Sequence, residues 1–207
     1  MAKTINHHIE PWINPYQLLQ KMEYENIEYG YHDFTNKINI NPDHELFHNW
    51  EYIENNCYVL HPKEVWRYKI GTCWDCSMME WYWCKRIPYI DPHVFFVEGN
   101  KKDDTNTHTI LYYHDTKYGR WYMMEYAWHT FKGFYGPYKS KYDLFKLYLD
   151  NFIHKMYNDI ICMNLNVDIK SLYKQPRITF NDFYTKCHEN SVKTEKELFN
   201  EIEKGEI

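Results

Sequence analysis

The run Cys73-Trp74-Asp75-Cys76-Ser77-Met78-Met79-Glu80-Trp81-Tyr82-Trp83-Cys84-Lys85 most constrains how this chain folds. It follows Gly71-Thr72, which reads as a tight turn opening a helix that runs to about Lys85. Trp74, Met78, Trp81 and Tyr82 recur at spacings of three and four, and the length suits a buried helix. The pattern then switches to strands. Val94–Val97, Thr107–Tyr113 and Arg120–Trp128 are strand-like runs with polar connections between them. Glu98–Asn106, with two Lys and two Asp, reads as a solvated hairpin loop, and Asp115–Gly119 as a short turn. A buried helix followed by an antiparallel meander is an α+β arrangement.

Cap signals place the other helices. Asn14-Pro15 opens one over 15–25, with Leu18, Leu19 and Met22 on its apolar face. Asn41-Pro42 repeats that signal before Leu46, Phe47 and Trp50, and Pro62 opens a short helix from Lys63 to Lys69 that Gly71 ends. Ser140 with Asp143 caps a helix from about 141 to 158, bearing Leu144, Phe145, Tyr148 and Phe152 on one side. Thr194-Glu195-Lys196-Glu197 is a capping box for a last helix closed by Gly205. The expected organisation is a core domain over 1–170 and a helical C-terminal appendage over 171–207.

A chain of 207 residues is long enough to bury a sizeable core. With 21 Tyr and 8 Trp, that core must find hydrogen-bond partners for many phenols and indoles. A net charge of -5 argues against general nucleic-acid affinity. No apolar run reaches the roughly 18 residues of a membrane span, and no charged-then-apolar leader is seen, so a soluble cytoplasmic protein is expected. Cysteines 57, 73, 76, 84, 162 and 187 in such a chain do not read as a disulfide framework.

Three residues stand out chemically. Cys73 heads the buried helix, His108 lies in the second strand-like run and Glu125 in the third. The thiolate is the nucleophilic form of cysteine, and a helix N-terminus and a neighbouring imidazole both favour it. A carboxylate on the far ring nitrogen fixes the imidazole's tautomer. Cys73 as nucleophile, His108 as proton carrier and Glu125 as its orienter are thus the parts of an acyl-transfer site. The Cys73 backbone N–H would be one oxyanion donor, and Trp66 or His61, both upstream, would supply a second. Trp74, Trp128 and Tyr135 are expected near the cleft, and the other aromatics in the core. His114 is the alternative base, ahead of His93 and His129.

Cys73 and Cys76 also match C-x-x-C. A redox site of that kind needs a βαβ context, and a structural zinc site a second close pair, whereas Cys162 and Cys187 are 25 apart. Cys76 is therefore expected to pack in the core, Asp75 to cap the turn, and no metal or organic cofactor to be needed.

Gly-Thr-Cys-Trp-Asp at a helix start, His108-Thr109 with an apolar strand, and Trp121-Tyr122-Met123-Met124-Glu125 together resemble the transglutaminase-like superfamily of papain-fold cysteine enzymes. Pro62-Lys63-Glu64 is similar to that family's approach to its nucleophile, and Glu25-Asn26-Ile27-Glu28-Tyr29-Gly30 to its small phage-type members. The likeness covers roughly residues 15–160 of the sequence. It implies a papain-like core with the nucleophile helix packed on an antiparallel sheet. It also implies a Cys–His–acid triad acting on a peptide, isopeptide or glutamine-amide bond, in a protein, a peptide or a small amide. Asp is usual at the acid position and Glu125 departs from it by one methylene. The superfamily spans proteases, amidases, deamidases, transglutaminases and inactive binding or scaffold proteins, and no motif here selects among them.

Overall fold

Helix α1 (Pro15–Tyr24) opens on a reciprocal cap. The Asn14 side chain accepts from the Gln17 N–H at 2.8 Å, and Gln17 Oε1 accepts from the Asn14 N–H at 3.0 Å. The computed structural model describes residues 14–101 and 104–205. Next come β1 (Glu28–Tyr29), then β2 (Tyr31–Asp33) and β3 (Ile38–Ile40), which pair as a hairpin. Helices α2 (Trp50–Asn56) and α3 (Pro62–Tyr68) lead to β4 (Ile70–Gly71), which lies parallel to β1 and sets Tyr29 opposite Gly71.

One expected boundary moves here. The helix expected from Asn41-Pro42 begins instead at Trp50, where the Asn49 side chain accepts from the Tyr52 N–H at 3.0 Å. The preceding residues form successive turns, with His44 N–H on Asn41 O, Phe47 N–H on His44 O and Asn49 N–H on Leu46 O. Helix α3 closes at Lys69 as expected, but its stop is Lys69 itself in the left-handed conformation at φ 58°, with Gly71 already in β4.

Helix α4 (Cys73–Cys84) is capped by Thr72, and every residue but Trp81 and Tyr82 is buried. A helix buried on nearly all sides has to be central. Its start is clamped by Asp75, as expected. Asp75 Oδ2 accepts from the Thr72 N–H at 2.6 Å and the Thr72 hydroxyl at 2.9 Å, while Oδ1 accepts from the Leu60 N–H at 2.5 Å.

Strands β5 (Ile90–Lys101), β6 (Asp104–Asp115), β7 (Arg120–Glu125) and β8 (Gly133–Tyr138) form the expected antiparallel meander, extended by one strand. A further strand, β9 (Asp159–Asn164), pairs with the free side of β5, giving the order β8-β7-β6-β5-β9. The expected loop over Glu98–Asn106 is largely strand: Glu98 pairs with Thr107 and Lys101 with Asp104, while the tip, 102–103, lies outside the described residues. Glu98 and Gly99 are buried where β5 runs between two neighbours, so their polar and small side chains concealed the strand.

The sheet separates two cores. Val94 and Phe96 of β5 join Leu111 and Tyr113 of β6 in the core that holds α4. Phe95 and Val97 join Ile110 and Tyr112 in a second core under α5 (Lys141–Tyr148). Helix α5 continues through a π-helical turn, Leu149–Ile153, into α6 (His154–Met156). Short α7 (Ile169–Leu172) precedes α8 (Phe180–His188) and α9 (Glu195–Gly205). Residues 171–205 of the segment expected as an appendage carry α8 and α9 and complete both cores. Phe180, Phe183 and Cys187 enter the first, Leu198 and Ile202 the second. The molecule is α+β, with a helix-backed antiparallel sheet. Among the described residues no helix is long and apolar enough to cross a membrane.

Candidate active site

Cys73 is the first residue of α4, where the backbone N–H has no acceptor inside the helix. Its side chain is 3 % exposed and close enough to the His108 imidazole to help raise it. His108 comes from β6 and Glu125 from the end of β7, two strands that pair antiparallel between Leu111–Asp115 and Arg120–Met124. His108 Nε2 meets Glu125 Oε2 at 2.5 Å, which leaves Nδ1 as the ring nitrogen for the thiol. The second oxygen of Glu125 accepts from the Trp128 N–H at 2.8 Å, and the Trp128 ring stands edge-on to His108 at 5.7 Å. Both oxygens of the carboxylate are thereby fixed.

Burial alone would push the His108 imidazole down. The Glu125 charge, with hydrogen bonds to Cys73 and Glu125, outweighs burial and raises it to about 10. His108 is therefore an imidazolium at neutral pH, and a cation at that position favours the thiolate of a neighbouring cysteine. Glu80, two turns along α4, is buried near the same pair. Burial, then repulsion from Glu125, pushes its carboxyl well above the usual range, and its Oε1 has no hydrogen-bond partner among the described residues.

Cys73 lines a cleft of about 640 Å³. Its walls are aromatic, with Tyr31, Phe47, Trp50, Trp74, Phe180 and Tyr184, and Glu98 and Thr107 are among its polar residues. Tyr29 also lines it, held beside the Cys73 turn by the β1–β4 pairing and by the Gly30 N–H on Gly71 O at 3.3 Å. Burial raises the Tyr31 phenol, and the next contribution comes from Cys73.

The remaining candidates divide. Trp74 lines the cleft and stacks on Phe183 at 4.6 Å. Trp128 holds Glu125, and the Tyr135 hydroxyl donates to Phe131 O at 2.6 Å. Neither upstream oxyanion candidate lines the cleft. The Trp66 indole N–H is buried without a hydrogen-bond partner among the described residues, and His61 Nε2 faces Gln175 O at 3.2 Å. His114 stacks on Trp121 at 4.6 Å and His93 pairs with Asp91 at 3.1 Å, so neither occupies the place of His108. His129 lies in a short turn after β7. Cys76 is buried in the first core.

Sequence reasoning missed Glu98, which enters the cleft from β5. Its Oε1 accepts from the Tyr184 hydroxyl at 2.8 Å and its Oε2 meets His188 Nε2 at 2.8 Å. The polar neighbours of Glu98 masked it, and nothing local links it to His188, 90 residues on (188 − 98). No protein-family model matches the chain, and no curated protein matches it.

Proposed function

We propose that this protein is a cysteine-nucleophile acyl-transfer enzyme with a transglutaminase-like, papain-type core. The arrangement of Cys73, His108 and Glu125, at the head of a buried helix and opening on an aromatic cleft, carries this reading. In it, the Cys73 sulfur attacks the carbonyl carbon of an amide or isopeptide bond, and the thiol proton resides on His108 Nδ1. The tetrahedral oxyanion forms at the Cys73 N–H, with the Tyr29 or Tyr31 hydroxyl as the second donor in place of Trp66 and His61. His108 then protonates the departing amine and a thioester remains on Cys73. Water or an acceptor amine, deprotonated by His108, completes hydrolysis or transfer. Glu125 holds the imidazole in the required tautomer throughout. The Phe47, Trp50 and Phe180 walls fit a protein or peptide segment, or a small amide with an apolar flank.

The second reading is a catalytically silent binding protein on the same scaffold, which the 3 % exposure of Cys73 favours. Hydroxylamine separates the two, because it intercepts an acyl-enzyme as a hydroxamate. Glutamine-containing peptides incubated with the protein and hydroxylamine are expected to give hydroxamates that are lost in Cys73→Ala. Product formation that survives in Cys73→Ala contradicts the nucleophile assignment.

A further inference from the structure

Glu98, Cys162 and His188 converge from β5, β9 and α8 although 64 and 26 residues separate them along the chain. Their donor atoms lie within 4.8 Å of one another. Cys162 Sγ stands 3.7 Å from Glu98 Oε2 and lies against the edge of the His188 ring, 3.8 Å from Nδ1 and 3.9 Å from Nε2, and Nε2 is 2.8 Å from Glu98 Oε2. We propose that these three side chains form a zinc site behind the wall of the cleft, which Glu98 reaches. This inference is independent of acyl transfer at Cys73.

The distances match the chemistry. Bond lengths of about 2.3 Å to sulfur and about 2.0–2.2 Å to nitrogen and oxygen give tetrahedral edges of about 3.5 Å from sulfur and about 3.3 Å from nitrogen to oxygen. The sulfur–Glu98 edge is thus near its final length, the His188–Glu98 pair opens by about half an ångström, and the His188 ring, which presents both nitrogens to the sulfur, turns to direct Nε2 at the ion. A plain His–Glu ion pair has no need of a thiol at that spacing from both partners.

The surroundings hold the donors as outer partners of a metal site do. The Tyr184 hydroxyl occupies Glu98 Oε1 at 2.8 Å and directs Oε2 toward the other two donors. Asn164, two residues beyond Cys162 on β9, donates to the carbonyls of Cys187 at 2.9 Å and Glu189 at 2.7 Å. It therefore clamps the backbone on both sides of His188. Glu98 and Tyr184 line the cleft, so one donor of the triangle and its outer partner belong to the cleft wall. The expectation that no metal is needed considered paired cysteines alone. A site with one cysteine, one histidine and one carboxylate, each from a distant segment, has no spacing motif to read.

Cobalt(II) tests this in the full-length Cys73→Ala chain, where the Cys73 thiol contributes nothing. The expected result is a thiolate-to-cobalt absorption band together with the intense visible bands of four-coordinate cobalt, both erased by an equivalent of Zn2+. Cys162→Ser removes the thiolate band, and Tyr184→Phe weakens binding by about 10–100-fold. His188 is 33 % exposed, so His188→Ala serves as a second variant should Cys162→Ser fail to fold, and it is expected to lose four-coordinate binding. A chain that gives no such spectrum, or one whose spectrum is undiminished in Cys162→Ser or His188→Ala, overturns the proposal.

Discussion

At the scale of single residues, His108 is the group whose state depends most on its partner. Burial lowers an imidazole and the Glu125 carboxylate reverses that, carrying His108 to about 10, against about 6.5 for the free side chain. The folded pKa is raised, so the stabilisation is complete below about pH 6.5 and is lost as the pH climbs through about 10. The melting temperature is expected to fall between pH 7 and pH 10.5 in the native chain. In Glu125→Gln it starts lower at pH 7 and is much flatter over the same interval, and equal slopes in the two proteins contradict this pairing. Cys73, His108 and Glu125 were legible because each stands out within its own segment: a thiol after a Gly-Thr turn, and an imidazole and an acid inside apolar strands. Glu98 was not, because Gly99, Asn100 and Lys101 beside it have the composition of a loop. Trp66 was placed by its position upstream of Cys73, and chain order does not determine which way a helix turns its indole.

At the scale of elements, β5 does the most to position the site. It pairs with β6 and β9, and the register with β9 shifts between Glu98 and Gly99. A Cβ on Gly99 would stand 2.6 Å from Tyr157 Cγ and 2.7 Å from Asp159 O, so only glycine lets the two strands approach there. Gly99→Ala is expected to cost about 1–3 kcal/mol, read as a lower urea midpoint, and an unchanged midpoint contradicts the close approach. Helices α1, α4, α5 and α9 were legible from their cap residues. Trp50–Asn56 was not, since Asn41-Pro42 carries the same signal as Asn14-Pro15 and tertiary contacts decide which of them propagates. Strand β8 contains two glycines and a proline, and β9 is six residues long, so both depend on the strands beside them.

At the scale of the whole molecule, an aromatic-rich chain has met its polar obligations by sending phenols to backbone carbonyls. The Tyr112 hydroxyl donates to Leu165 O at 2.8 Å, and that of Tyr126 reaches Met22 O at 3.0 Å and Ile27 O at 2.9 Å. The hydroxyls of Tyr148 and Tyr157 are buried without a partner among the described residues. The two cores are closed by the last segment. Removing residues 171–207 takes away Phe180, Phe183, Leu198 and Ile202, all buried, and is expected to abolish cooperative unfolding. A truncated chain that still melts in one sharp transition contradicts their place in the core. A boundary at 170 is what the sequence suggests, because nothing local in α8 shows that Phe183 stacks on Trp74.

The proposed function rests on a nucleophile at Cys73 activated by His108. Its most direct test is the pH dependence of iodoacetamide alkylation at Cys73, located by mass spectrometry, in the native chain and in His108→Ala. Rapid labelling is expected to persist well below pH 7 in the native chain and to be lost in His108→Ala. Slow labelling that follows an ordinary thiol titration in both proteins contradicts it.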